Sequence, residues 1–170
     1  DYLEKDILKF LKEKILNDNY PEVILNHISQ SKNPTTNLDL LNLFGKKKLS
    51  KIFFLSKIIK KKILINECWR IVVLNSLIKK NKISFQNIKI AEDLIFVFEV
   101  FFVMKNIIIN PEKFLFHRSR LNSLKYSAGI NSATAYYVAY LKLNKYFLKY
   151  KKNRHIEKRF IELTLENIYS

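Results

Sequence analysis

Two glycines and three prolines in 170 residues leave little material for tight turns. An all-β architecture with many hairpins is disfavoured on that ground, and Gly45 and Gly129 alone cannot build a glycine-rich phosphate loop. The single cysteine, Cys68, excludes an internal disulfide and a cysteine-rich zinc site. It suits a reducing, cytoplasmic setting. No apolar run reaches the roughly 20 residues that a membrane-spanning helix requires. The most apolar stretch, Leu94 to Met104, is shorter and is interrupted by Glu99. The opening DYLEKDILKF is acidic and amphipathic, unlike a secretory signal. A soluble or peripheral protein is expected. Acidic side chains are also scarce, at 15 against 31 Lys and Arg, for a net charge of +16.

What is present is apolar and aromatic. The apolar fraction is 48% and the aromatic fraction 14%, which argues against disorder. A chain of this length buries roughly 70% of the surface its unfolded form exposes, enough for one domain with a core. Three readings compete for the basic excess: a nucleic-acid backbone, an anionic membrane surface, and an AT-rich genome whose codons favour Lys, Asn, Ile, Phe and Tyr together. Only five of the basic residues are Arg (Arg70, Arg118, Arg120, Arg154 and Arg159), and no known nucleic-acid motif occurs, so no nucleic-acid partner is expected. Codon bias does not explain where the lysines cluster. GKKK at 45–48 and KIIKKK at 57–62 lie beside apolar positions, a pattern that suits a membrane surface or a solvated helix face.

Ile7, Leu8, Leu11, Ile15 and Leu16 recur at helical spacing, predicting an amphipathic helix from about Leu3 to Leu16. After Pro21, EVILNHI reads as a buried strand, and SQSKNPTTN as a polar loop. Leu38 to Lys62 is mostly helical in pattern, split at Gly45. ILINECWRIVVL reads as a strand entering a short helix, NSLIKKN; KISFQNIKI reads as extended. AEDLIFVFEVFFVMKN predicts a helix with two acids in its first turn, where the helix dipole favours them. IIIN and EKFLFHR are strand-like, with Pro111 marking a turn between them. Two helices close the chain, at about 132–151 and 155–168. In the first, Tyr136, Tyr140, Leu143 and Phe147 recur at helical spacing. Together these elements make an α/β domain whose strands are too few for a complete sheet of their own.

Between Cys68 and Lys125 the chain resembles the second half of bacterial family 2 glycosyltransferases. The matching residues, in order, are Trp69, Asn81, Phe85, the pair Glu92-Asp93, then Phe116, Arg118, Arg120, Asn122 and Ser123. The stretch before Cys68 is similar more loosely, with Asp1 near the end of the family's acidic metal-binding motif. The resemblance implies a partial GT-A-like nucleotide-diphospho-sugar transferase domain. Residues 1–130 would be its acceptor-side portion, following a nucleotide-binding half, and residues 131–170 a C-terminal helical extension. It departs from the family at Ile71 and at Leu74-Asn75, where relatives often carry Lys and Arg.

The implied reaction is inverting transfer of a sugar from a nucleotide-sugar to a surface-glycan or lipid-linked acceptor, as in capsule or lipooligosaccharide assembly at the inner face of the cell membrane. Such transfer needs a base for the acceptor hydroxyl. A carboxylate at a helix N-terminus is held in place by backbone N–H groups. Asp93 is the expected base and Glu92 its neighbour, although acids at this position also simply cap helices. Arg118 and Arg120 fall on one side of an extended segment, and their planar guanidinium groups suit a diphosphate. His117, where the family has an aromatic ring, is expected to pack or stack. Trp69 stacks on substrate or sits in the core. A divalent cation, Mg or Mn, is implied, with Asp1 as its one ligand within this chain. The competing readings are a basic nucleic-acid-binding protein and a non-catalytic, truncated glycosyltransferase remnant.

Overall fold

A computed structural model describes residues 2–3, 6–17, 20–30, 40, 42–45, 48–61, 63, 65, 67–88, 91–117 and 129–149. In chain order the elements are β1 (Tyr2–Leu3), α1 (Ile7–Asn17), β2 (Val23–Gln30), β3 (Leu49–Ser50), α2 (Lys51–Lys60), a 3₁₀ turn (Cys68–Arg70), β4 (Ile71–Val73), α3 (Asn75–Asn81), α4 (Glu92–Val103), β5 (Asn106–His117) and α5 (Gly129–Lys149). The strands form one mixed sheet in the order β1-β5-β2-β4, with β3 also on β5. At its centre β2 and β5 run parallel, with Val23 opposite Ile107 and Asn26 opposite Asn110. β4 is antiparallel to β2, and β1 and β3 are antiparallel to opposite ends of β5. The α/β architecture matches the expectation from sequence.

Val23 to Asn26 and Ile107 to Asn110 are buried without a break, because both sheet faces are covered at the parallel pair. Val23, Leu25, Ile107 and Ile109 join the main core with Phe54, Phe98 and Phe101. The alternate residues face the other way. There Asn110 Nδ2 donates to Asn26 Oδ1 at 3.3 Å, a polar contact between the two central strands.

α4 is apolar almost all round and is buried almost all round. Leu94, Ile95 and every residue from Val97 to Phe102 are buried, Glu99 included. Phe54 of α2 meets Phe101 edge to face at 5.1 Å. α5 lies along α4 through Ala135, Ala139 and Leu143, all buried, and leaves Tyr136 and Tyr140 half-buried. Tyr136 and Tyr140 pack against the core from its rim and Leu143 is buried within it, in line with their helical spacing. Glu99 is met by the Tyr146 hydroxyl, which donates to Oε1 at 2.9 Å, while Lys145 Nζ lies 3.9 Å from the same oxygen. Burial, and then the Glu99 carboxylate, pushes the Tyr146 hydroxyl up to about 12. Phe102 stacks on the Tyr146 ring at 5.4 Å.

Several elements differ from the sequence reading for identifiable reasons. α1 begins at Ile7 because Asp6 sits at φ 65, outside helical space, while Tyr2 and Leu3 pair with β5. Between Leu38 and Lys62 the helical pattern is interrupted twice. Gly45 takes φ 65, and Leu49–Ser50 forms β3 before Ser50 caps α2 by accepting from Phe53 N at 3.4 Å. Pro111 makes no turn. β5 runs through it, and the register jumps from Asn26↔Asn110 to His27↔Lys113. A bulge accommodates a residue with no N–H to donate. The described part of KISFQNIKI, 82–88, joins no strand; Ile83 is buried and Phe85 stacks on Phe96. The expected helix at 155–168 lies outside the described residues.

Candidate active site

The site forms where two chain segments meet at one end of the sheet. β4 is antiparallel to β2 with Ile71 opposite Leu25, so the Cys68–Arg70 turn lies beyond Leu25, toward the carboxyl end of β2. Only Met104 and Lys105 separate α4 from β5. β5 therefore runs back against α4, whose first turn lies at the end where β5 finishes. Both approaches arrive at the carboxyl side of the parallel pair, the side on which open α/β sheets bind ligands.

Asp93 and Glu92 open α4, and both are part-exposed. The residue before them, Ala91, is left-handed at φ 68 and ψ 10 and provides no side-chain cap. That conformation costs an alanine roughly 1–2 kcal/mol. The helix interior thus starts abruptly, with Ile95 N bonded to Ala91 O at 3.2 Å, and the carboxylates sit at the positive end of the helix dipole.

Across from them is the 3₁₀ turn. The Cys68 thiol is pushed up to about 12, first by burial, then by a hydrogen bond to the Asp93 carboxylate and by the nearby charges of Asp93 and Glu92. The thiol donates and Asp93 accepts, so Cys68 remains neutral at ordinary pH. Next to it, Trp69 is 36% exposed and is part of the turn, where the sequence suggested a strand. Arg70 is buried, with Nη1 3.3 Å from Glu67 Oε2. An aromatic pair completes the surroundings. Phe85 lies flat on Phe96 with ring centroids 4.3 Å apart and planes 4° from parallel, and it remains 53% exposed. Phe96 falls on the same side of α4 as Glu92 and Asp93, four and three residues on.

The structure thus unites Asp93, Glu92 and Trp69 in one place. It adds Cys68, to which the sequence assigns no place in the site, and the Phe85–Phe96 stack. Cys68 and Asp93 are 25 positions apart, a separation that carries no periodic signal. His117 ends β5, with its backbone opposite Gln30. Arg118, Arg120 and Asp1 lie outside the described residues. No group of three or more His, Cys, Asp and Glu among the described residues could hold a metal ion. Asp1, the one ligand expected for the implied divalent cation within this chain, is among the residues outside the described ones.

The Cys68–Asp93 contact has a measurable consequence. Burial keeps the Cys68 thiol raised in any variant, but Asp93→Asn removes the contribution of the Asp93 carboxylate, so alkylation of Cys68 by iodoacetamide at mildly alkaline pH should rise roughly tenfold. The reaction is read by mass spectrometry on the folded protein. An unchanged rate would remove the contact.

No protein-family model matches the chain, and no curated protein matches it. Solved structures do. The crystal structure of S. aureus TarS 1–349 matches with a TM-score of 0.66, and the same protein in complex with UDP-GlcNAc with 0.69. Both are 17% identical in sequence, and the matches cover 98% and 97% of this chain. They cover 44% and 46% of the TarS chains, so this chain spans less than half the length of the structures it resembles. TarS is a glycosyltransferase, and the chain has the fold of part of one.

Proposed function

We propose that the chain is the acceptor-side portion of an inverting, family 2-like glycosyltransferase of GT-A type. It would pass a sugar from a nucleotide-sugar to a surface-glycan or lipid-linked acceptor. The observation that carries this reading is the placement of Asp93. It is a part-exposed carboxylate at a helix N-terminus, beside the Cys68 thiol, at the carboxyl end of the parallel strands of a glycosyltransferase-like fold.

In the proposed step, one Asp93 oxygen takes the proton from the acceptor hydroxyl as the hydroxyl oxygen bonds to the anomeric carbon. The bond from the anomeric carbon to the donor phosphate breaks, and its electron pair leaves with the nucleoside diphosphate. A carboxylate already placed at the head of α4 needs little reorganisation to accept the proton. Glu92 orients the acceptor beside it. Arg118 and Arg120, which follow the end of β5, bind the diphosphate, and His117 packs beside them. Trp69 and the exposed ring of Phe85 offer flat apolar surfaces to the sugar rings.

The test is transfer of labelled sugar by the full-length protein from a set of nucleotide-sugars onto glycan and lipid-linked acceptors. Phe85→Ala should raise the acceptor KM about tenfold while leaving kcat within about twofold. No transfer from any donor would remove the enzymatic reading; an unchanged KM would remove Phe85 as a platform.

A further inference from the structure

We propose that the outward face of α2 docks on an anionic membrane. Ile52 is 65% exposed and its neighbour Phe53 45% exposed, although both stand on a helix whose other face, Phe54, Leu55, Ile58 and Ile59, is fully used in the core. One exposed apolar side chain is ordinary, but two adjacent bulky ones are not placed at random within this charge field. Lys57 Nζ sits 5.7 Å from the centroid of the Phe53 ring, and Lys60 and Lys61 follow on the exposed side. From Leu40 to Asn66 the chain carries eight lysines and no acid.

The charge complementarity selects the partner. An anionic bilayer attracts lysines held near its surface, each by about a factor of five, while apolar side chains enter the headgroup boundary beneath them. Nucleic acid would use the same lysines through its phosphates, but Ile52 has no π-face on which a base could stack. The helix is also held firmly enough to present this face. Ser50 caps it, and Lys51 Nζ donates to Phe102 O at 3.0 Å, tying its first turn to the end of α4. Among the described residues no helix is long and apolar enough to cross a membrane, so the contact is with the surface.

Sedimentation of the full-length protein with vesicles tests this without reference to catalysis. Vesicles of phosphatidylglycerol and phosphatidylcholine should bind it, less as salt rises, and phosphatidylcholine alone should not. Lys57→Glu/Lys60→Glu/Lys61→Glu should lower partitioning about a hundredfold or more, and Ile52→Ser/Phe53→Ser about tenfold. The same charge change at Lys79, Lys80 and Lys82, exposed at the end of α3, should stay within about threefold of wild type. All these positions but Lys57 are exposed, so the thermal midpoint should hold; the corresponding Gln variants replace any Glu variant that fails to fold. Equal losses in the α2 and α3 variants would reduce the effect to total charge and overturn the proposal. So would full binding by the Ile52/Phe53 variant, or binding to a single-stranded RNA oligonucleotide that the lysine variant loses and the apolar variant keeps.

Discussion

Replacing Asp93 with asparagine in the full-length protein lowers sugar transfer by roughly two to four powers of ten, the contribution of a positioned general base. Asparagine has nearly the same shape and can still occupy the first turn of α4, but its amide oxygen does not take up a proton at ordinary pH. The loss falls on kcat, because the acceptor is bound by other groups while the proton has nowhere to go. The helix should survive the change. α4 is held by Leu94, Ile95 and the buried residues from Val97 to Phe102, all of which the substitution leaves in place. Donor binding and the thermal midpoint should therefore stay close to wild type. Near-normal kcat in this variant would remove Asp93 as the base. Glu92→Gln is the internal comparison, and the smaller of the two losses is expected there, because the Cys68 thiol bonds to Asp93.

Phe101→Ala should cost about 3–5 kcal/mol, the largest loss expected from a single change in the core. Phe101 is 0% exposed and lies between Phe54 of α2, at 5.1 Å, and Phe98, at 6.0 Å, both edge to face. Truncation removes the buried ring and both aromatic contacts, and it leaves a cavity between α2 and α4 that their neighbours cannot close without moving a helix. Chemical denaturation followed by far-ultraviolet circular dichroism measures the loss. A shift under 1 kcal/mol would show that α4 does not pack on α2 through these rings. Phe101 is two turns beyond Asp93, so a destabilised but folded variant should keep its acceptor KM.

The parts of the fold that were legible in sequence are those with a local cause. α4 announced itself by an acidic pair opening a long apolar run. α3 matched NSLIKKN residue for residue because Lys82 takes a left-handed C-cap, with its N–H bonded to Ile78 O and Lys79 O. β2 followed from a β-branched run after Pro21. The misreadings have non-local causes. Whether Pro111 bends the chain or sits in a bulge depends on what β2 does opposite it. β3 is two residues long and exists because β5 offers it an edge. At the site, Asp93, Glu92 and Trp69 stood out through a pattern of residue types in order. Cys68 and the stacking of Phe85 did not, since only the meeting of the 3₁₀ turn with the first turn of α4 gives them a role.

The position of the acceptor hydroxyl relative to Asp93 is the most direct test of this site. A crystal structure of the full-length protein with a nucleoside diphosphate and the acceptor bound measures it. The expected result is the reacting hydroxyl within about 2.6–3.2 Å of one Asp93 carboxylate oxygen, with Cys68 Sγ on the other side of that carboxylate and the acceptor ring against Phe85 or Trp69. An acceptor seated away from the first turn of α4, with its reacting hydroxyl facing a different carboxylate, would contradict it.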